Sequence, residues 1–187
     1  MTDDAQLIDD ALSGVSAAFG RLVAKYQDRL FNTIVHVIGS RDEAEDIVQD
    51  AFVQAFVRLD SFRRTSAFYT WLYRIAVNLA ISRKRRHRPS QSVEERRDIA
   101  GEEPVGRDHD PSEPMEQRER AEQVQAALAA LSAEHRTVLV LREIEGCSYE
   151  TIAEIVEAPV GTVRSRLHRA RIEMRDQLRQ ALQEDLT

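Results

Sequence analysis

From Val15 to Ile38, large apolar side chains recur at spacings of three and four: Phe19, Leu22, Val23, Tyr26, Leu30, Ile34 and Ile38. That period sets one face of a helix against a core. Gly39 and Ser40 interrupt it, and RDEAEDIVQDAFVQAFVRL then resumes it with Val48, Phe52, Ala55, Phe56 and Leu59 on one face and Asp42, Glu45, Asp46, Gln49 and Asp50 on another. A third stretch, FYTWLYRIAVNLAISRKRRHR over residues 68–88, puts Phe68, Leu72, Ile75, Ala76 and Leu79 on one side. Trp71, Arg74, Asn78, Ser82 and Arg85 fall together on the opposite side.

Residues 121–144 predict two more helices, broken at Leu131 and Ser132, where Ser132 is placed to cap the helix of HRTVLVLREI. In SYETIAEIVEAPVGTVRSRLHRAR, Ser148 caps a short helix carrying Ile152, Ala153 and Val156, and Pro159 opens the next helix, where its missing N–H costs nothing. Val163 and Leu167 face back into the domain, and the small Ala153 permits a close crossing. This is a helix-turn-helix pattern. At Glu157, where glycine usually makes the turn, a positive φ would cost about 1–2 kcal/mol, so either the turn is altered or the core absorbs the strain.

Between these blocks the periodicity stops. Pro89, Pro104, Pro111 and Pro114, with interspersed serine and glycine, punctuate an acidic segment poor in large apolar residues, the composition of a flexible linker. The predicted fold is all-α, with two small helical domains: residues 1–88, an acidic linker over 89–117, and residues 118–187. A chain of 187 residues that is 42% hydrophobic and 31% charged suits two small cores, and the absence of any repeat period between 20 and 50 residues argues against a solenoid.

The formal charge of −6 conceals a partition along the chain. Acid gathers at the N-terminus, in 42–50 and in 94–119, and base in 83–88 and 164–175. The start, MTDDAQLIDDALSG, lacks the pattern of a secretory signal, and no apolar run approaches the roughly 18 residues of a membrane span, so a cytoplasmic location without membrane insertion is expected. The single cysteine, Cys147, cannot close an internal disulfide. The five histidines are scattered and neither HExxH nor CxxC spacing occurs, so no catalytic residue, metal or cofactor is expected.

The stripe of Trp71, Arg74, Asn78, Ser82 and Arg85 offers what unstacked bases need: a π surface, an amide, and cations for phosphates. The run Arg83, Lys84, Arg85, Arg86 and Arg88 extends it. The alternative is a partly buried Trp71 and a solvated helix end. Asp42 to Asp50 read equally as helix-capping acids on a solvated face or as a docking stripe for a basic surface. On the last helix, Arg164, Ser165, His168, Arg169 and Arg171 point outward, and arginine is the side chain that bridges guanine O6 and N7 in the major groove.

DEAEDIVQDAFVQAF, DSFRRTSAFYTWLYRIAVN and PVGTVRSRLHRAR together resemble regions 2 and 4 of bacterial extracytoplasmic-function (group 4) sigma factors, in their sigma-E-like branch of the sigma-70 family. The resemblance covers about nine-tenths of the chain, in order. It implies a non-enzymatic subunit that binds core RNA polymerase, through the β′ clamp and the β flap, and directs it to promoters. Asp46, Gln49 and Asp50 match the stripe that docks on the β′ clamp. The loop from Asp60 to Phe68 and the following helix resemble the part that reads the −10 element and holds a flipped base, which brings in Phe62, Arg63, Ser66, Phe68, Trp71, Arg74, Asn78, Arg83, Lys84, Arg85 and Arg86. Ser82 stands where many relatives carry aspartate. Arg164, Ser165, His168 and Arg169, with Arg171 beside them, match the −35 readers. An anti-sigma factor is a further implied partner. The alternative is a stand-alone helix-turn-helix regulator.

The linker adds a geometric expectation. A flexible tether of roughly 29 residues averages about 30 Å, whereas the two promoter elements lie about 80 Å apart on B-form DNA, so polymerase must hold the domains apart. The acids of the N-terminus and linker are expected to repel DNA from the free protein.

Overall fold

The computed structural model describes residues 4–86 and 115–184, with the side chains of residues 85, 86, 115–119, 182 and 184 outside that description. Eight α-helices and one 3-10 turn run through the described residues, with no strand among them: α1 (Asp4–Leu12), α2 (Ser16–Ile38), α3 (Arg41–Val57), a 3-10 turn (Leu59–Ser61), α4 (Phe68–Arg86), α5 (Met115–Ala130), α6 (Ala133–Glu143), α7 (Tyr149–Ile155) and α8 (Val160–Glu184). The expected linker up to residue 114 lies outside the described residues, and α5 begins three residues before the expected domain start at 118.

Helix ends follow local chemistry. Gly39 closes α2 in the left-handed region, φ 91°, and its N–H bonds Val35 O at 2.7 Å. Ser40 then caps α3 by accepting from Glu43 N–H, and Ser132 and Ser148 cap α6 and α7 by accepting from His135 and Thr151. Glu157 does adopt a positive φ, 51°, so the helix-turn-helix keeps its turn and stores the strain.

α2 and α3 pack against α4, and α1 packs on α2 and the 3-10 turn. Along α2, Phe19, Leu22, Tyr26, Leu30 and Ile34 are buried as their spacing predicts, while Val23 and Ile38 are half-buried. On α3 the expected core position Phe56 is instead 50% exposed and meets the Phe19 ring edge-on. Helix α1 was not foreseen: nine residues supply too few apolar positions for a period, yet Leu7 and Ile8 are each 2% exposed. α4 is buried over far more of its circumference than its expected face. Phe68, Leu72 and Ala76 are joined by Trp71, Tyr73, Val77 and Ala80, leaving a narrow outward strip around Arg74, Asn78 and Ser82.

The second half packs α6 and α5 against α8, with Leu141, Ile152, Ile155, Val163 and Leu167 at its centre. It also packs on the first half, α6 against α2 and α7 against α4, so that the buried side chains form one continuous cluster. Arg136 stitches the seam. Its guanidinium, 2% exposed, donates to Ala129 O and Leu131 O at the end of α5 and to Val37 O and Ile38 O at 3.3 Å at the end of α2. Four carbonyls at two helix C-termini supply the negative potential this cation needs, although burial still holds its pKa below the ordinary arginine range.

The strain at Glu157 generates a stability prediction. Glu157→Gly is expected to raise unfolding free energy by about 0.5–1 kcal/mol, relief of the left-handed strain being offset in part by glycine's greater chain entropy. Urea titration reads it, and a loss of stability would contradict the strain argument.

Candidate nucleic-acid interface

The outward strip of α4 forms one wall of a groove whose other wall is the loop after the 3-10 turn. Phe62, Arg63, Ser66, Trp71 and Arg74 line one end, and Arg58, Arg74, Asn78 and Ser82 the other. Cations, an amide and a hydroxyl are thus gathered along a concave surface backed by aromatic rings. Phe62 lies 5.2 Å from Trp71, centroid to centroid, and stands edge-on to Phe68 at 5.8 Å.

At Trp71 the structure favours the partly buried alternative, and Phe68 sits in the core as its helix face predicts. Trp71 is 7% exposed and Phe68 3%, both held in a ring cluster with Phe62, Phe68 and Trp71 lying 5.9 Å apart and Tyr26 5.8 Å from Phe68. Trp71 is therefore no open stacking platform, although it lines the groove, and Phe62, half-buried, is the more accessible ring. The helical wheel misplaced the indole because it compared Trp71 only with its own helix, whereas Phe62 arrives from the loop. Phe68 starts α4 and does not line the groove.

The loop between Phe62 and Phe68 is shaped by two residues that the periodicity could not reveal. Arg64 has φ 56°, and its guanidinium is gripped by Asp9 of α1. This hydrogen-bonded pair holds the Asp9 carboxyl below the usual aspartate range. Asp4, likewise, is tied to Lys25 and Tyr26. Two of the N-terminal acids are thus engaged in internal pairs instead of forming an open repulsive cloud.

On α3, Asp46, Gln49 and Asp50 are exposed, as the docking reading requires. The same face continues through Val53, Phe56 and Val57, exposed to 57%, 50% and 72%. Their spacing from Asp46 and Asp50 places them on one stripe, a signal the sequence did carry. Arg83, expected to contact phosphate, instead donates to Asp46 Oδ2 at 3.3 Å and to Glu43 O at 3.4 Å. A pair this exposed is worth little, so Arg83 remains available to a stronger anion. Lys84 is half-buried near the end of α4.

In the helix-turn-helix, Arg164, Ser165, His168 and Arg169 are all exposed on the outer face of α8. Arg171 is exposed too, but chelated by Glu143 Oε1 at 3.1 and 2.7 Å, which raises its pKa. Arg166, unremarked in the sequence pattern, pairs with Glu134 at 2.7 Å and fixes α8 to α6. The outward residues of α8 are not joined to the α4 strip in a single site: α7 is what meets α4, with Glu154 and Glu157 on the rim of the groove. Among the described residues there is no cluster of histidine, cysteine or carboxylate side chains fit to hold a metal, and no helix long and apolar enough to cross a membrane.

Comparison with known proteins meets this geometry. Residues 22–89 match Sigma-70 region 2 and residues 121–174 match Sigma-70, region 4. The chain is 40% identical to the RNA polymerase sigma-H factor of Pseudomonas aeruginosa, over 90% of each chain. It is also 40% identical to the ECF RNA polymerase sigma-E factor of Haemophilus influenzae, over 91% of this chain and 92% of that one. Among solved structures, CnrH in complex with the cytosolic domain of CnrY superposes with a TM-score of 0.68 at 28% identity, covering 94% of this chain and 96% of that one. The sigma factor RpoE of Bartonella quintana, in complex with the anti-sigma factor NepR, gives 0.68 and 28% over 86% and 96%. The chain belongs to the sigma-70 family of RNA polymerase sigma factors, within its extracytoplasmic-function (ECF) group.

The Asp9 grip on Arg64 gives a pH prediction. A carboxyl whose folded pKa is depressed contributes fully above its unfolded value and loses that contribution as pH falls through the folded one. NMR titration of the Asp9 carboxyl is expected to show a midpoint below the ordinary aspartate range, returning to that range in Arg64→Gln. An unchanged midpoint in that variant would remove the pair as the loop's anchor.

Proposed function

We propose that this chain is an alternative sigma subunit that binds core RNA polymerase, directs it to specific promoters and helps open the −10 region. The single observation that carries the reading is the pairing of two separate polar surfaces in one family-matched chain, the α4 strip and the outer face of α8. In this reading residues 1–88 bind polymerase and read the −10 element, residues 89–117 are the linker, and residues 118–187 read the −35 element.

Each surface has its own task. Arg164, Ser165, His168 and Arg169 enter the major groove, where a good bidentate arginine contact discriminates bases by about 1–3 kcal/mol. Arg74, Asn78 and Ser82, with the Phe62 ring and Trp71 behind them, receive an extruded base. Extrusion costs a few kcal/mol of unstacking, which a pocket offsets only for a matching base, so reading and opening are one event. Arg83 and Lys84 then act on phosphates without sequence preference, and their share of the affinity falls as salt rises. Asp46, Gln49 and Asp50, continued by Val53, Phe56 and Val57, form the face offered to the β′ clamp, and the C-terminal half meets the β flap. Binding energy does the work, so the chain needs no catalytic group, and it acts in the cytoplasm, where polymerase and promoters are. CnrH is solved with the cytosolic domain of CnrY bound and the Bartonella quintana RpoE with the anti-sigma factor NepR bound, which supports an anti-sigma factor for this chain.

Run-off transcription with core enzyme on a promoter library tests the reading. The chain is expected to direct initiation from a defined promoter set; Arg164→Ala is expected to lower −35 discrimination by about 10–100-fold, and Asn78→Ala to depress opening while leaving polymerase binding intact. Specific, tight duplex binding by the free protein, or an obligate dimer, would favour the stand-alone regulator instead.

A further inference from the structure

The seam between the two halves is built around a carboxylate. Glu145, in the turn after α6, has a side chain only 6% exposed. Its Oε2 accepts from Arg29 Nε at 2.7 Å, its Oε1 from the Thr33 hydroxyl, and its backbone oxygen from Arg29 Nη2 at 3.3 Å. Both partners stand on α2, more than a hundred residues away along the chain. The socket is prepared on its own side: the Arg29 guanidinium lies over the Tyr69 ring at 5.8 Å, and the buried Tyr73 hydroxyl lies 3.3 Å from Thr33 Oγ1. On the other side, Gly146 at φ 69° turns the backbone, and bonds from Glu145 N to Val140 O and Cys147 N to Leu141 O fix the turn that aims Glu145.

A buried carboxylate without partners would be prohibitive, so this seat is part of the packing. A second set of charges follows from it. With the turn seated, α7 lies against α4, Glu154 lines the end of the groove that holds Arg63, and Glu157 Oε1 stands 3.9 Å from Arg74 Nε. Glu157 keeps this place at a strained backbone position where glycine would be cheaper.

We propose that the free chain closes on itself through Glu145, which latches the α6–α7 turn into the Arg29–Thr33 socket of α2 and so lays the Glu154 and Glu157 carboxylates along the groove as internal stand-ins for DNA phosphates. The identity of that groove rests on the function proposed above. Promoter binding and closure exclude each other: α7 cannot remain on α4 while α8 and the α4 strip engage DNA stretches about 80 Å apart. The latch is also suited to release. Only the carboxylate is buried, the Arg29 side chain being 54% exposed, so loss of the arginine would strand a buried charge, whereas release of the turn returns Glu145 to water beside a cation that is already hydrated. The seat therefore orients the halves while leaving the closed state free to open.

Small-angle X-ray scattering of the free full-length chain tests this without polymerase or DNA, so its outcome is independent of whether the promoter reading holds. The parent is expected to scatter as a compact particle near the roughly 16 Å radius of gyration of a folded chain of this length. Glu145→Arg and Glu145→Gln are expected to expand it, the closed-to-open ratio falling by about tenfold or more in the charge reversal. Adding Arg29→Glu to Glu145→Arg is expected to restore compactness, and circular dichroism confirms that each variant keeps its helices. A parent already extended, a Glu145→Arg chain as compact as the parent, or a folded charge swap that stays open would each overturn the latch. If the scattering follows expectation but run-off transcription fails, the latch stands and the promoter function falls.

Discussion

The structure depends on the burial of α4. Seven of its apolar side chains, from Phe68 to Ala80, are at most 7% exposed, enclosed by α2 and α3 on one side and by α7 and the α6 end on another. Such enclosure fixes the helix in rotation as well as in place, because turning it by one residue would drive Arg74 or Asn78 into the core and bring Tyr73 or Val77 to water. Full burial of a side chain of that size is worth about 1.5–3 kcal/mol, so the cost of rotation far exceeds anything a surface contact could return. The polar strip of Arg74, Asn78 and Ser82 inherits that rigidity. The base-reading role proposed for the strip needs it, since discrimination rests on groups held in place before the nucleic acid arrives.

How much of this the sequence disclosed varies with the range of the interactions. The long helices and their caps were legible, because a helical period and a Ser at the N-cap are local statements; Ser132 and Ser148 cap where expected, and Arg164, Ser165, His168 and Arg169 face outward. The helix-turn-helix was legible for the same reason, down to the conflict at Glu157, which the backbone resolves by accepting strain. Interactions between distant segments were not. The Asp9 to Arg64 grip spans 55 residues and the Glu145 to Arg29 seat 116, with no period to announce either. The choice between the two readings of Trp71, and the burial of Tyr73, were not legible because their surroundings come from a loop and from the far half of the chain.

Charge is arranged in the same spirit as burial. Although the molecule is acidic overall, many of its carboxylates are opposed one by one to arginines and lysines: Asp4 to Lys25, Asp9 to Arg64, Asp46 to Arg83, Glu134 to Arg166, Glu143 to Arg171. Exposed pairs of this kind contribute little to stability, and their partners can exchange them for phosphates or for another protein surface at small cost. The buried cation Arg136 is different in kind, serving the helix C-termini at the seam and pairing with no carboxylate among the described residues. The surface electrostatics are thus provisional, whereas the core that presents them is not.

The central claim is that one chain grips two separated stretches of a promoter with two rigid polar surfaces, and only when polymerase holds them apart. Site-specific photo-crosslinking tests it most directly, with the reactive group at Asn78 in one preparation and at Arg164 in another, on the same promoter. The account predicts that Asn78 marks the −10 stretch and Arg164 the −35 stretch, and that both marks require core enzyme. Equal marking by the free protein, or both positions marking one stretch, would contradict it.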